Sequence, residues 1–370
     1  MKKILFLIHD LGHGGAEKVL VNLVNNMDPS QFDITVMALF GGGVNEQFLS
    51  KSIRLIRCHK KLFPGNSYLM KLFTPRQLYR HYIKDHYDII VSYLEGPSAR
   101  IVSGCDDPDT KLVSWIHCEL KTKEQVSASF RSYAETLACY QRFDRTVCVS
   151  DGVRQHCLHV LPLESPSVVL YNTNESTQIM NSSLETVPAG TFSHSDFNII
   201  GVGKLVRNKG FHRLIPIVKK LREDGYPVRL YILGTGPMKA ELEEQALRLG
   251  ISDSVILLGY QTNPYKYVAK CDLFVCASFA EGFSTAATEA LIVGTPVCTV
   301  EVSGTKEMLG DHNEYGIVTE NDEASLYQGI HSLLENPALL AHYREKALER
   351  GKMFHTAQTV RAVEQMLASL

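Results

Sequence analysis

The feature that most constrains this chain is an alternation that runs through it twice. Near the N-terminus a continuous apolar run, KILFLI (3–8), leads through a glycine loop into GGAEKVLVNLVNNM. There Val19, Leu20, Leu23, Val24 and Met27 recur at helical spacing on one face. Further strand-like runs follow: DITVMAL, YDIIVSYL, KLVSWIHC and RTVCVS, each separated by helical or loop text. Runs that are apolar throughout suit strands covered on both faces, and helices between them suit a parallel sheet. Residues 173–196, rich in Ser, Thr, Asn, Pro and Gly, break the pattern as linkers do. The alternation then restarts with FNIIGVGKL, VRLYILGTG, SVILLGY, DLFVCAS and TPVCTV. The spacing predicts an α/β chain of two Rossmann-like parallel-sheet domains facing across a cleft. The expected division is a domain over 1–175, a linker over 176–196, a domain over 197–352 and a C-terminal helix over 353–370. The stripe Val360, Val363, Leu367, Leu370 would pack that helix back on the first domain. Ligands of such sheets bind outside the carboxyl ends of the strands.

Length and composition agree. The chain has 370 residues, 45% hydrophobic, enough for two cores. A net charge of −2 argues against a nucleic-acid binder. Nine cysteines without a CxxC pair or zinc spacing read as reduced thiols of a cytosolic protein. The N-terminal apolar run is cut by His9 and Asp10, too short for the roughly 7–15 residues of a signal-peptide core. No stretch approaches the ~20 apolar residues of a membrane span. The expectation is a soluble cytoplasmic protein, with attachment to a membrane surface left open.

Three stretches carry chemistry. GHGGAEK (12–18) follows the first strand; Glu17 stands where GxGxxG would need its last glycine, and GxxxxGK[ST] occurs nowhere. A helix that starts there still offers amide donors and a positive dipole end to an anion. GVGKLVRNKG (201–210) closes the first strand of the second domain and places Lys204 and Lys209 where charges grip phosphate. EGFSTAATEAL (281–291) follows the strand DLFVCAS. Ser284 is a natural N-cap and Gly294 a stop, so Glu281 sits before the helix and Glu289 about 8 Å along it, at 1.5 Å per residue. Free amides for a diphosphate, one carboxylate for ribose and another for a sugar would all lie along one helix end.

Together these segments, with VCVSDGVRQ, LYNTNES, YILGTGPMKAELE and VILLGY between them, resemble family 4 glycosyltransferases of the GT-B fold across nearly the whole chain. The resemblance implies a retaining transferase that takes a nucleotide sugar, a UDP-sugar foremost, as substrate, with no cofactor and no essential metal. It implies an acceptor-binding first domain and a donor-binding second one. Lys204, Lys209 and the backbone of Gly282, Phe283, Ser284 and Thr285 would hold the diphosphate, Glu289 the ribose and Glu281 the donor sugar. Tyr260 would lie where the backbone reads the base, Gly15 near the phosphates or acceptor, and His117 would face the transferred sugar. Glu281, His117 and Lys209 are thus the expected catalytic set. Lysine at 204, where the family often has arginine, keeps the charge but loses the bidentate fork.

From Lys51 to Lys84 the sequence carries nine Lys/Arg and no acid, interleaved with Phe63, Tyr68, Leu69, Met70, Leu72 and Phe73. Arg54, Arg57, Lys60, Lys61, Lys71, Arg76 and Arg80 are the expected docking residues for an anionic membrane surface. The expected acceptor is then a saccharide or a lipid-linked saccharide of cell-surface glycan or lipopolysaccharide synthesis. Two other readings share the architecture: a sugar-nucleotide epimerase, and a non-catalytic nucleotide-sugar-binding scaffold.

Overall fold

Apolar runs buried on both faces set the architecture. In this computed structural model the described residues are 1–12, 14–61, 65–193 and 195–370, without the side chains of Asn66 and Ser67. His13 of the glycine loop, Phe63 of the basic stretch and His194 of the expected linker lie outside them. The chain divides into two units, one of Met1–Asn174 with Thr356–Leu370, the other of Glu175–His355.

The first unit contains β1 (Lys2–Ile8), β2 (Phe32–Phe40), β3 (Arg54–His59), β4 (Ile89–Ser92), β5 (Lys111–Ile116), β6 (Arg145–Cys148) and β7 (Ser167–Val169). They form a wholly parallel sheet in the order β3-β2-β1-β4-β5-β6-β7. Its helices are α1 (Gly15–Asn26), α2 (Asn66–Met70), α3 (Pro75–Tyr82), α4 (Pro97–Val102), α5 (Lys123–Ser127), α6 (Tyr133–Tyr140) and α7 (Asp151–Val160). In central β1, Ile4 to Ile8 are all at 0%. Each such side chain stabilises by about 1.5–3 kcal/mol. Strand order reverses between β1 and β4, the switch point at which sheets of this kind open a ligand crevice.

The second unit contains α8 (Ser176–Ser183), β8 (Phe197–Val202), α9 (Phe211–Glu223), β9 (Val228–Leu233), α10 (Lys239–Arg248), β10 (Val255–Gly259), α11 (Tyr265–Val268), β11 (Leu273–Cys276), α12 (Thr285–Ile292), β12 (Val297–Val300), α13 (Thr305–Leu309), β13 (Ile317–Thr319), α14 (Glu323–Glu335) and α15 (Pro337–Gly351). Its sheet is also parallel, in the order β10-β9-β8-β11-β12-β13, with the switch between β8 and β11. Pro216 lies inside α9 and cannot donate to the carbonyl four residues back. That carbonyl, of His212, instead accepts from Gln245 Nε2 of α10 at 2.9 Å, so the proline costs little and ties two helices together.

The structure departs from the expected linker. Its first third is helix α8, which packs on α11 and α12, and Asn263 Nδ2 donates to the Ser182 carbonyl at 2.8 Å. This segment therefore belongs to the second unit, whose first residue is Glu175. The terminal helix α16 (Thr356–Ala368) belongs to the first unit and lies against α1. Lys2 Nζ caps its last carbonyls, those of Leu367 and Ala368, at 3.2 and 3.1 Å. All nine cysteines are thiols, seven of them buried.

Candidate active site

In the second unit, the loops after β8 and β11 converge because glycine lets them. Gly210 has φ +68°, and a Cβ there would fall 1.9 Å from the Ala277 carbonyl oxygen. With this close approach, Phe279 N donates to Asn208 O (2.8 Å) and Asn208 Nδ2 donates to Ala280 O (2.9 Å). The short turn Arg207–Lys209 is thereby fixed against residues 277–281. Lys209 Nζ then donates to Glu281 Oε1 at 2.5 Å, and Ser278 Oγ donates to the same oxygen at 2.6 Å. The side chains are 29% and 12% exposed, so this is a partly buried pair. Burial disfavours the Lys209 ammonium, but the Glu281 carboxylate outweighs it and holds its pKa above the usual lysine value.

The turn after β9 closes on the same carboxyl end of the sheet. Gly234, at φ +142°, approaches the Gly203 carbonyl so closely that a Cβ would lie 1.9 Å from its oxygen. Lys204, next to it, is exposed. Arg207 points away and meets Glu241 at 3.5 Å.

Helix α12 begins four residues past Glu281. Ser284 is its N-cap, accepting from Ala287 N at 3.3 Å. The remaining first-turn amides point out of the helix, where its dipole favours an anion. Gly282, Phe283 and Ser284 are buried, and Thr285 is half-buried. Phe283 packs on Phe354 with ring centroids 5.7 Å apart, so its side chain is core and only its backbone is offered to a ligand. Glu289, one turn on, is 8% exposed and accepts from Tyr265 Oη at 3.3 Å. Tyr260 is 56% exposed and follows Gly259, whose φ of +70° turns the chain out of β10. The structure thus brings Lys204, Lys209, Glu281, Gly282–Thr285, Glu289 and Tyr260 to the carboxyl end of one sheet. Sequence reasoning missed the three residues that hold them: Asn208, Ser278 and Tyr265. The only available signal was the glycine at 210.

In the first unit, Gly15 opens α1 after Gly14, which has no side-chain cap to offer. Glu17 curls back over that start, filling the space a Cβ on Gly14 would need. Asp10 accepts from Gly12 N and pairs with His9 Nδ1, both at 2.7 Å. His117 follows β5, and its ring lies 4.8 Å from that of Tyr93 and 6.2 Å from that of Trp115. Its backbone N donates to Glu95 Oε2 at 3.1 Å. Burial pushes the imidazole pKa down to about 3, against a hydrogen bond to the Tyr93 backbone that raises it. Among the described residues Nε2 is buried and has no hydrogen-bond partner. A ring that donates through its other nitrogen presents Nε2 as an acceptor. His117 is therefore neutral at physiological pH.

The basic stretch is less basic in three dimensions than in sequence. Arg54 pairs with Asp85 (2.7 Å), Arg57 with Glu46 (2.8 Å), and Arg76 and Arg80 both with Asp106 (2.9 and 2.5 Å). Arg54 and Arg57 also lie on edge strand β3. Lys60 and Lys61 are exposed, and Lys71 lies over the Tyr68 ring at 5.2 Å. Beside them Tyr68, Leu69, Leu72 and Phe73 are 76, 51, 72 and 47% exposed. Buried Arg100 fixes this apolar turn from behind, donating to the Met70 and Phe73 carbonyls at 2.7 Å each, and Arg131 Nε donates to Lys71 O at 2.7 Å. Among the described residues no helix is long and apolar enough to cross a membrane.

Two Rossmann-like parallel-sheet domains are the architecture of the GT-B glycosyltransferase fold, and comparison with known proteins agrees. Residues 13–173 match the family model for Glycosyltransferase Family 4 and residues 185–350 that for Glycosyl transferases group 1, together most of the chain. The chain belongs to glycosyltransferase family 4. It is 28% identical to the N-acetylgalactosamine-N,N'-diacetylbacillosaminyl-diphospho-undecaprenol 4-alpha-N-acetylgalactosaminyltransferase of Campylobacter jejuni, covering 98% of each chain. It is 26% identical to the lipopolysaccharide core biosynthesis glycosyltransferase LpsD of Rhizobium meliloti, covering 90% of this chain and 88% of the relative. Its fold matches the Anabaena protein HepE, solved with UDP, at a TM-score of 0.77 over 100% of both chains and 20% identity. Membership in a transferase family replaces the epimerase and scaffold alternatives.

Proposed function

We propose that this chain is a retaining glycosyltransferase that moves a sugar from a UDP-sugar onto a lipid-linked saccharide during cell-surface glycan assembly. The observation that carries it is the Lys209–Glu281 pair before the start of α12, which sets a cation, a carboxylate and helix amides together at the carboxyl end of one sheet. The relatives support the finer terms. The Campylobacter jejuni enzyme is named for an α-linked transfer onto a diphospho-undecaprenol-linked saccharide, the Rhizobium meliloti one for lipopolysaccharide core, and HepE was solved with UDP. An α-linked product from an α-linked donor is retention.

In this reading Lys204, Lys209 and the backbone of Phe283 to Thr285 hold the diphosphate. Glu289 takes the ribose hydroxyls, Glu281 the hydroxyls of the donor sugar, and the backbone at Tyr260 faces the base. Gly15 lets α1 begin close to the phosphates or the acceptor. His117, neutral and with Nε2 as acceptor, takes a hydrogen bond from a sugar hydroxyl and does not act as a proton shuttle. The acceptor hydroxyl oxygen bonds to the anomeric carbon on the face the leaving group departs. The carbon–oxygen bond to the β-phosphate breaks, its electron pair stays on the phosphate, and the hydroxyl proton passes to that phosphate. The ammonium groups and helix amides stabilise the charge that develops there, the role a metal ion plays elsewhere, so the reaction is proposed to need none.

The same chain docks at the inner face of an anionic membrane through the turn bearing Tyr68, Leu69, Leu72 and Phe73, with Lys60, Lys61 and Lys71 on the headgroups. The arginines expected to dock are instead held by acids.

The test is direct. The protein is incubated with UDP-, GDP-, ADP- and CMP-sugars and a polyprenyl-diphosphate-linked saccharide, and the product's mass and anomer are read. Transfer from a UDP-sugar with retention is expected. Transfer with inversion, or from another nucleotide only, overturns the corresponding term.

A further inference from the structure

Lys209 and Glu281 are the two charges proposed to meet the donor, yet in the structure they meet each other. Glu281 Oε1 takes both the 2.5 Å bond from Lys209 and the 2.6 Å bond from Ser278. The pair is mostly shielded from water. The cation of the anion site is therefore already neutralised, and any diphosphate must compete with a carboxylate for it.

Resting on the donor-site reading above, we propose that Glu281 discriminates the intact nucleotide sugar from the bare nucleoside diphosphate through this pair. A partly buried charge that loses its partner is penalised unless another replaces it. An intact donor replaces it: its phosphates take Lys209 while its sugar hydroxyls donate to Glu281. A bare diphosphate takes Lys209 and leaves Glu281 with Ser278 alone. It also ends in a terminal phosphate that no sugar esterifies, which ionises a second time near neutral pH and brings an extra negative charge towards the carboxylate. The donor loses both advantages when its sugar departs, so the same pair that admits substrate expels the nucleoside diphosphate product. Ser278 is a positioning residue here, holding the carboxylate in reach of Lys209.

Calorimetric titration of UDP and of a panel of UDP-sugars tests this, using the full chain at fixed ionic strength. Wild type is compared with Glu281→Gln, which keeps the side chain's shape, and with Glu281→Asp, which keeps the charge but draws it back from Lys209. Thermal unfolding confirms that each variant is folded. For the UDP-sugar that wild type binds best, the ratio of Kd for UDP to Kd for that sugar is expected to fall about tenfold or more in Glu281→Gln, because UDP tightens. Glu281→Asp should fall between. An unchanged ratio, or UDP binding weakened along with the sugar, overturns the discrimination while leaving the donor site standing. Failure of wild type to bind any of these ligands overturns the donor site and the discrimination together.

Discussion

Lys209 and Glu281 lie 72 residues apart in the chain and 2.5 Å apart in space, joined across the ends of the neighbouring strands β8 and β11. Lys209→Ala removes the cation proposed to stabilise the leaving diphosphate. Turnover should fall by about 10²–10³, the scale for losing one preorganised charge partner. The fold should survive, since Lys209 is partly exposed. Steady-state transfer assays beside a melting curve check both halves.

Gly210 is what lets that pair form. Gly210→Ala forces a Cβ to 1.9 Å from the Ala277 carbonyl oxygen at a φ of +68°. A stability loss of about 2 kcal/mol or more is expected, with activity falling alongside it. Urea unfolding measures the first and a transfer assay the second.

His117 predicts a pH dependence. Its folded pKa is about 3, below the unfolded value, so between about 3 and 6.5 the unfolded chain binds the extra proton. The neutral folded ring is favoured above 6.5, and stability is lost as pH falls through that window. Between pH 7 and 5 wild type should lose about 1–2 kcal/mol more than His117→Gln. The pH–rate profile from 6 to 8 should show no titration of His117. Equal losses in the two proteins would place the imidazole in water.

The docking turn separates apolar from charged contributions. Leu72→Ser with Leu69→Ser should abolish flotation with anionic liposomes. Arg54→Ala together with Asp85→Ala should leave it nearly unchanged, because these two charges already cancel at 2.7 Å. The reverse pattern would return the docking role to the arginines.

Much of this was legible in the text of the chain, for a physical reason. Central strands such as β11, and β1 from Ile4 onward, are apolar because both faces are covered. The edge strands β3, β7 and β13 escaped. SVV of β7 is only half-buried, and RLIRCH of β3 mixes charges with apolar residues because one side meets solvent. The site's charged residues were visible from their place after strands. What holds them was not: Ser278 and Tyr265 are unremarkable in sequence and act only once strands are laid side by side. The basic stretch misled for the same reason, since Glu46, Asp85 and Asp106 lie outside it and reach its arginines only by folding. The linker composition misled too, because the polar surface of α8 reads as loop.

Chelation offers an independent check. Addition of EDTA should leave transfer from a UDP-sugar unchanged, and restoration by Mg²⁺ or Mn²⁺ of an activity lost on chelation would contradict the proposed role of the lysines.

The most direct measurement is a crystal structure of this chain with UDP bound. The β-phosphate should lie within hydrogen-bond reach of Lys209 Nζ and the first-turn amides of α12, with Lys209 drawn from Glu281 and the ribose on Glu289. UDP lodged elsewhere, with residues 204, 209, 281 and 289 untouched, would contradict the account.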